Sequence, residues 1–157
     1  MSKSVMITVL VVVLIVIGVA IYFLLQPMKN VDIDSTQTQT KKITRTFDIQ
    51  GMKVEVLTEG TGVEAKVGDE IVVNYVGTLV DGKQFDSSID RNQPFPYTLG
   101  QNRVIKGWEL GILGMKAGEK RKLTIPSGLA YGDAGRPPMI TKGATLIFVI
   151  DMLSINK

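Results

Sequence analysis

The residues best placed to do chemistry in this 157-residue chain stand in the run Val104-Ile105-Lys106-Gly107-Trp108-Glu109, which holds its single tryptophan. An indole is a broad, flat apolar surface. Gly107 beside it has no Cβ, so backbone can approach closely, and the pair suits the floor of a pocket. Taken alone, a lone Trp is more often a core side chain. What the chain lacks narrows the chemistry. It has no cysteine and no histidine, which excludes disulfides, thiol nucleophiles, zinc sites built on Cys or His, and imidazole acid–base catalysis. A net charge of +3, with no basic cluster interleaved with aromatics, gives no nucleic-acid footprint. No cofactor or metal is expected.

The elements that must position this run can be read from hydrophobic period. Met52, Val54 and Val56 alternate with Lys53, Glu55 and Leu57 as a strand, which Gly60-Thr61-Gly62 breaks. A turn at Lys66-Val67-Gly68-Asp69 enters a stronger strand, with Ile71, Val73 and Tyr75 on one face. Asp81-Gly82 is a hairpin-type turn. Short strands follow at Phe85 and at Tyr97-Thr98-Leu99. Ile105, Trp108 and Ile112 are spaced by three and four, as in a short helix over 105–113. Lys116-Ala117-Gly118-Glu119 turns into a strand at 120–125, a Gly- and Pro-containing loop covers 127–142, and a β-branched strand spans 144–155. Many strands and one short helix make an α+β domain, in which the helix can bury its apolar stripe only against the sheet.

Several blocks now fall into register: Asn74-Tyr75-Val76-Gly77, Asp81 to Ser88, Asn92-Gln93-Pro94-Phe95, the Trp108 run, Gly114 to Arg121, Ile125-Pro126, Ala130-Tyr131-Gly132 and Ala144 to Phe148. In this order and spacing, from about Gly51 to the C-terminus, the chain resembles the FKBP-type peptidyl-prolyl cis-trans isomerases. The resemblance implies a bent antiparallel sheet half-wrapped around one short helix, with an aromatic cleft between them. It implies catalytic positions at Tyr75, Asp86, Trp108, Tyr131 and Phe148. Substrate-binding positions are implied at Phe85, Phe95, Val104, Ile105 and Ile140. Trp108 would be the floor and Phe85, Tyr75 and Phe148 the walls. The Ile105 N–H and Tyr131 hydroxyl would bind substrate carbonyls, and Asp86 would orient polar groups at the rim. The segment from Tyr131 to Ile140 would overhang the cleft. Implied partners are proline-containing polypeptides and macrolides such as tacrolimus and rapamycin. The chain departs from the family pattern at Arg103, at Arg136 and at Thr141-Lys142-Gly143, all near the rim and all adding positive charge.

The implied reaction suits the missing residue types. Rotation about an X–Pro bond breaks no σ bond and moves no proton, so it needs no nucleophile, metal or base. Two functions use such a cleft: an isomerase that assists folding, and a non-catalytic peptide-binding chaperone or adaptor.

The first residues lie outside the resemblance. Residues 5–25 hold no charge and are dominated by Val, Ile and Leu, a length sufficient at about 1.5 Å per residue to cross a bilayer as a helix. The rival reading is a cleaved signal peptide, for which Gly18-Val19-Ala20 offers small residues at cleavage positions, but the apolar run continues for five residues past Ala20. The expected organisation is a tail at 1–4, a transmembrane anchor at 5–25, a flexible linker at 26–46 and the isomerase domain at 47–157, as a monomer. Lys3 and the free amine lie near one end of the anchor and Lys29 near the other. These near charges lean towards a lumenal or extracytoplasmic domain in a single-pass protein, whereas the farther Lys41, Lys42 and Arg45 oppose that orientation.

Overall fold

The computed structural model describes residues 45–157. The expected tail, the anchor over 5–25 and most of the linker lie outside the described residues. Among the described residues no helix is long and apolar enough to cross a membrane.

Nine strands and one α-helix are described: β1 (Arg45–Ile49), β2 (Met52–Thr58), β3 (Thr61–Glu64), β4 (Glu70–Leu79), β5 (Gln84–Ser87), β6 (Phe95–Thr98), α1 (Lys106–Ile112), β7 (Lys116–Ala117), β8 (Lys120–Ile125) and β9 (Leu146–Asn156), with a 3-10 turn at Ser127–Leu129. The main sheet runs β1-β2-β8-β9-β4-β5, with β6 also paired to β4. Every pairing in it is antiparallel. β3 and β7 form a separate two-stranded sheet. The α+β expectation therefore holds for the described residues, with the helix slightly shorter than 105–113.

Alternation explains how the sheet presents one apolar face. Ile71, Val73 and Tyr75 of β4, Leu123 and Ile125 of β8, and Leu146, Phe148, Ile150 and Met152 of β9 are all buried. Trp108 and Ile112 of α1 join this same cluster. The helix lies close on β8 because two of its residues lack side chains. A Cβ on Gly107 would stand 2.5 Å from Ile125 Cγ2, and one on Gly111 2.5 Å from Leu123 Cδ1. Gly107 thus performs the close approach its position suggests, and its partner is β8. Gly107→Ala gains about 1 kcal/mol of helix propensity, but it forces a methyl into the branched carbon of Ile125, at about 1–3 kcal/mol. The thermal midpoint, followed by circular dichroism, should fall by several degrees. A rise would refute the contact.

Three local expectations are corrected. The linker read to residue 46 ends earlier: Arg45 and Thr46 begin β1, whose register pairs Arg45 with Val56 and Thr46 with Glu55. The break at Gly60-Thr61-Gly62 leads directly into β3, and the turn at 116–117 is its partner β7. Every residue of β3 is exposed, so no apolar alternation marks it. Third, Glu55 and Leu57, which alternate with the Met52, Val54 and Val56 face of β2, are buried along with Val54 and Val56. Glu55 is 4% exposed, and its carboxylate lies 3.0 Å from Lys53 Nζ and 3.3 Å from Lys122 Nζ. Burial alone would raise its pKa, but the two lysines outweigh that and hold it below the ordinary value. A buried charge of this kind persists because it is paired.

Candidate functional site

The elements bring every residue implied by the resemblance to one cleft of about 460 Å³. Tyr75 comes from the buried face of β4, Phe85 and Asp86 from β5, and Phe95 from β6. Val104 and Ile105 lead into α1, which supplies Trp108. Tyr131 and Ile140 bracket the segment that follows the 3-10 turn, and Phe148 comes from β9. Arg103, Arg136, Pro137 and Met139 complete the lining.

Trp108 is 4% exposed yet lines the cleft, as a floor does. Around it the rings meet edge to face: Tyr75 at 5.0 Å and 83°, Phe148 at 5.2 Å and 85°, Phe95 at 6.1 Å and 80°. These arrangements place positive ring edges against negative faces and hold each ring in one orientation. Phe85 stands against Phe148 at 5.4 Å and 86°. That pair needs Gly77, where a Cβ would lie 2.8 Å from both rings. Gly77 is a site-shaping residue that the reading of the residues did not single out.

The polar side of the cleft is a three-residue network. The Tyr75 hydroxyl donates to Asp86 Oδ2 at 2.7 Å. It accepts from Arg91 Nη2 at 2.9 Å, and Arg91 Nη1 also donates to Asp86 Oδ1. Beneath it, Tyr75 N donates to the buried Ser88 Oγ at 2.9 Å, and that hydroxyl donates to Asn74 Oδ1 at 2.9 Å. This ties β4 to the segment after β5. Arg91 was not among the expected site residues. No periodicity marks it, since it sits in the irregular loop between β5 and β6 and meets Tyr75 only through the fold.

Burial of Asp86 pushes its pKa up, but the hydrogen bond from Tyr75 and then the Arg91 guanidinium outweigh that and hold the carboxyl below its ordinary value. Burial, then the bond to Asp86, raises the Tyr75 phenol. A depressed carboxyl contributes stability in full above its unfolded pKa and loses it as pH falls through the folded one. A raised phenol stays protonated through the neutral range. With no histidine or cysteine in the chain, the network keeps one protonation state from about pH 5 to about pH 9. Turnover should therefore be flat across that window and decline only in stronger acid. A bell centred near neutrality would contradict this.

Two donors remain available for a bound chain. The Ile105 carbonyl starts α1 by accepting from Trp108 N at 2.9 Å and Glu109 N at 3.3 Å. Ile105 N itself meets no acceptor among the described residues. The Tyr131 hydroxyl accepts from Arg136 Nη1 at 3.3 Å, which leaves its own proton to donate elsewhere. The site therefore offers an apolar floor, aromatic walls and hydrogen-bond donors, without a nucleophile. Among the described residues no group of His, Cys, Asp or Glu side chains could hold a metal ion.

Comparison with known proteins agrees with this geometry. Residues 61–153 match the family model of the FKBP-type peptidyl-prolyl cis-trans isomerases. Peptidyl-prolyl cis-trans isomerase FKBP2 of Homo sapiens is 52% identical over 95 residues, which cover 60% of this chain and 67% of that protein. The FK506-binding protein of Neisseria meningitidis serogroup B is 52% identical over 105 residues, covering 67% of this chain and 96% of that one. The crystal structure of FkpA from Escherichia coli matches with a TM-score of 0.66 at 39% identity, over 75% of this chain. This chain spans 55% of that relative's length. A ring-lined cleft between one short helix and an antiparallel sheet, joined to these matches, places the chain in the FKBP family of peptidyl-prolyl cis-trans isomerases.

Proposed function

We propose that this cleft accelerates rotation about X–Pro bonds in polypeptide clients by removing the bond from water and favouring its twisted form. The barrier of about 18–20 kcal/mol is lost amide resonance. A planar amide has more charge separation than a twisted one, so an apolar, ring-lined enclosure raises the planar state more. The observation that carries the reading is the cage around Trp108, with Tyr75, Phe95 and Phe148 close to perpendicular to the indole. The proline ring rests on that floor. The Ile105 N–H and the Tyr131 hydroxyl hold carbonyls on either side of it, and the Tyr75–Asp86–Arg91 network keeps the wall fixed. Macrolides such as tacrolimus and rapamycin compete for the same surface.

The charge-free stretch at 5–25 supports a tether to a bilayer, with residues 26–44 as the span between tether and domain. The domain then meets clients near the membrane, with the near charges leaning towards its lumenal or extracytoplasmic face.

The purified full chain should speed isomerisation of an X–Pro tetrapeptide in a protease-coupled assay, and tacrolimus should suppress it. Tacrolimus binding without any acceleration would favour the peptide-binding chaperone or adaptor. Flotation with lipid vesicles, lost on deleting residues 5–25, tests the tether; flotation of the deleted chain would refute it.

A further inference from the structure

We infer that Arg103 and Arg136 form an anion-selective subsite on the rim, which favours clients carrying a carboxylate side chain next to the proline. The inference deepens the isomerase reading above and rests on it.

Both arginines line the cleft and both are exposed at its mouth. Neither makes an ion pair among the described residues. Glu70 borders a neighbouring hollow with Arg103 but makes no ion pair with it, and the other acidic groups that could neutralise the two arginines are spent or apart. Asp86, which lines the same cleft, is taken by Arg91 and Tyr75. The Glu109 carboxylate accepts from Gly100 N at 2.7 Å and Asn102 N at 2.9 Å. Asp133, in the overhanging segment, is exposed and outside the lining. The cleft wall therefore carries two arginines outside any ion pair beside one balanced pair.

The backbone at both arginines is also held in place. Glu109 clamps the loop that precedes Arg103, in which Asn102 adopts a left-handed φ of 56°. Arg136 is fixed by its backbone: its N donates to Ile140 O at 2.8 Å and its carbonyl accepts from Ile140 N at 3.0 Å. This tight hairpin requires glycine at 135, where φ is 64° and a Cβ would lie 2.6 Å from Ile140 O. The Arg136 guanidinium then lies 5.7 Å from the Tyr131 ring centroid, with Nη1 on the Tyr131 hydroxyl. Of the three departures at the rim, Lys142 does not line the cleft, so the selectivity belongs to the two arginines. Arginine suits the role, since its planar fork meets a carboxylate with two parallel donors.

The test uses the full chain and matched tetrapeptides with Glu, Gln or Lys before the proline, and a second series varying the residue after it. Turnover should rank Glu over Gln over Lys in at least one series. The Glu-to-Gln ratio should be about three- to tenfold at low ionic strength, as two exposed ion pairs allow, and it should shrink as salt is added. In the Arg103→Gln, Arg136→Gln double variant that ratio should fall to about one, whatever the absolute rate. Equal turnover of the Glu and Lys peptides in both series would overturn the subsite while leaving the isomerase reading intact. If no peptide is turned over, the isomerase reading fails, and binding followed by Trp108 fluorescence decides the subsite: Glu peptides binding no tighter than Gln peptides would overturn it as well.

Discussion

Replacing Trp108 with leucine should lower kcat/KM for an X–Pro tetrapeptide by at least about tenfold, a loss of about 1.4 kcal/mol of transition-state stabilisation. Leucine keeps an apolar side chain at the helix–sheet contact but removes the flat floor. Tyr75, Phe95 and Phe148 each lose their near-perpendicular ring contact with the indole. Truncation to alanine would remove more, but a buried Trp→Ala change costs about 3–5 kcal/mol of stability, which confuses unfolding with lost catalysis. The leucine variant should still show a cooperative thermal transition at a lower temperature. Tacrolimus affinity should fall with turnover, because drug and peptide rest on one surface. A folded variant with undiminished kcat/KM would show that the indole is mere core and that the reaction occurs elsewhere.

The second large effect concerns stability and lies under the other end of the helix. Arg121 sits on the buried face of β8 and is 3% exposed; Glu119 is 1% exposed. Arg121 Nε donates to Glu119 Oε1 at 2.5 Å, and its Nη1 to Gly111 O at 2.8 Å and Leu113 O at 3.2 Å. A single guanidinium thus pairs a buried carboxylate and satisfies carbonyls at the C-terminus of α1, where a cation also complements the helix dipole. Phe47 of β1 lies over it, with the guanidinium 5.7 Å from the ring centroid. Arg121→Met should cost about 3–5 kcal/mol, because Glu119 is left charged and unpaired in the interior. For a domain whose whole stability is about 5–15 kcal/mol, the thermal midpoint should drop by more than about 10 °C. Adding Glu119→Gln should restore much of the loss, since the amide oxygen can still accept from Lys116 N, which bonds Glu119 Oε2 at 3.0 Å. If the double variant is no more stable than Arg121→Met, the carbonyl contacts and not the ion pair carry the effect.

Local pattern made the framework legible wherever it agreed with the final packing. Alternation on β4, β8 and β9 and the three-and-four spacing of Ile105, Trp108 and Ile112 mark elements whose inner faces are apolar over several residues. The pattern failed where a polar residue faces inward or a strand is short and exposed. Glu55 carries no sign of burial until its lysine partners are seen, Arg121 falls on the face of Leu123 and Ile125 but only Glu119 explains a charge there, and β3 has no buried residue to announce it. The site divides the same way. The resemblance led to each lining aromatic, but Arg91 and Gly77 became visible only when β4 lay beside β5 and the loop after it.

Residue type and order alone were enough to exclude thiol and imidazole chemistry, to reveal the helix that carries the indole and to point to the family, because composition and hydrophobic period survive without knowledge of contacts. Folding settled which charges are neutralised and which stay open, how closely α1 lies on β8, and that Asp86 serves the Tyr75 hydroxyl. Those outcomes depend on pairs far apart along the chain, and the energy of a charge or a ring is set by what comes to rest beside it.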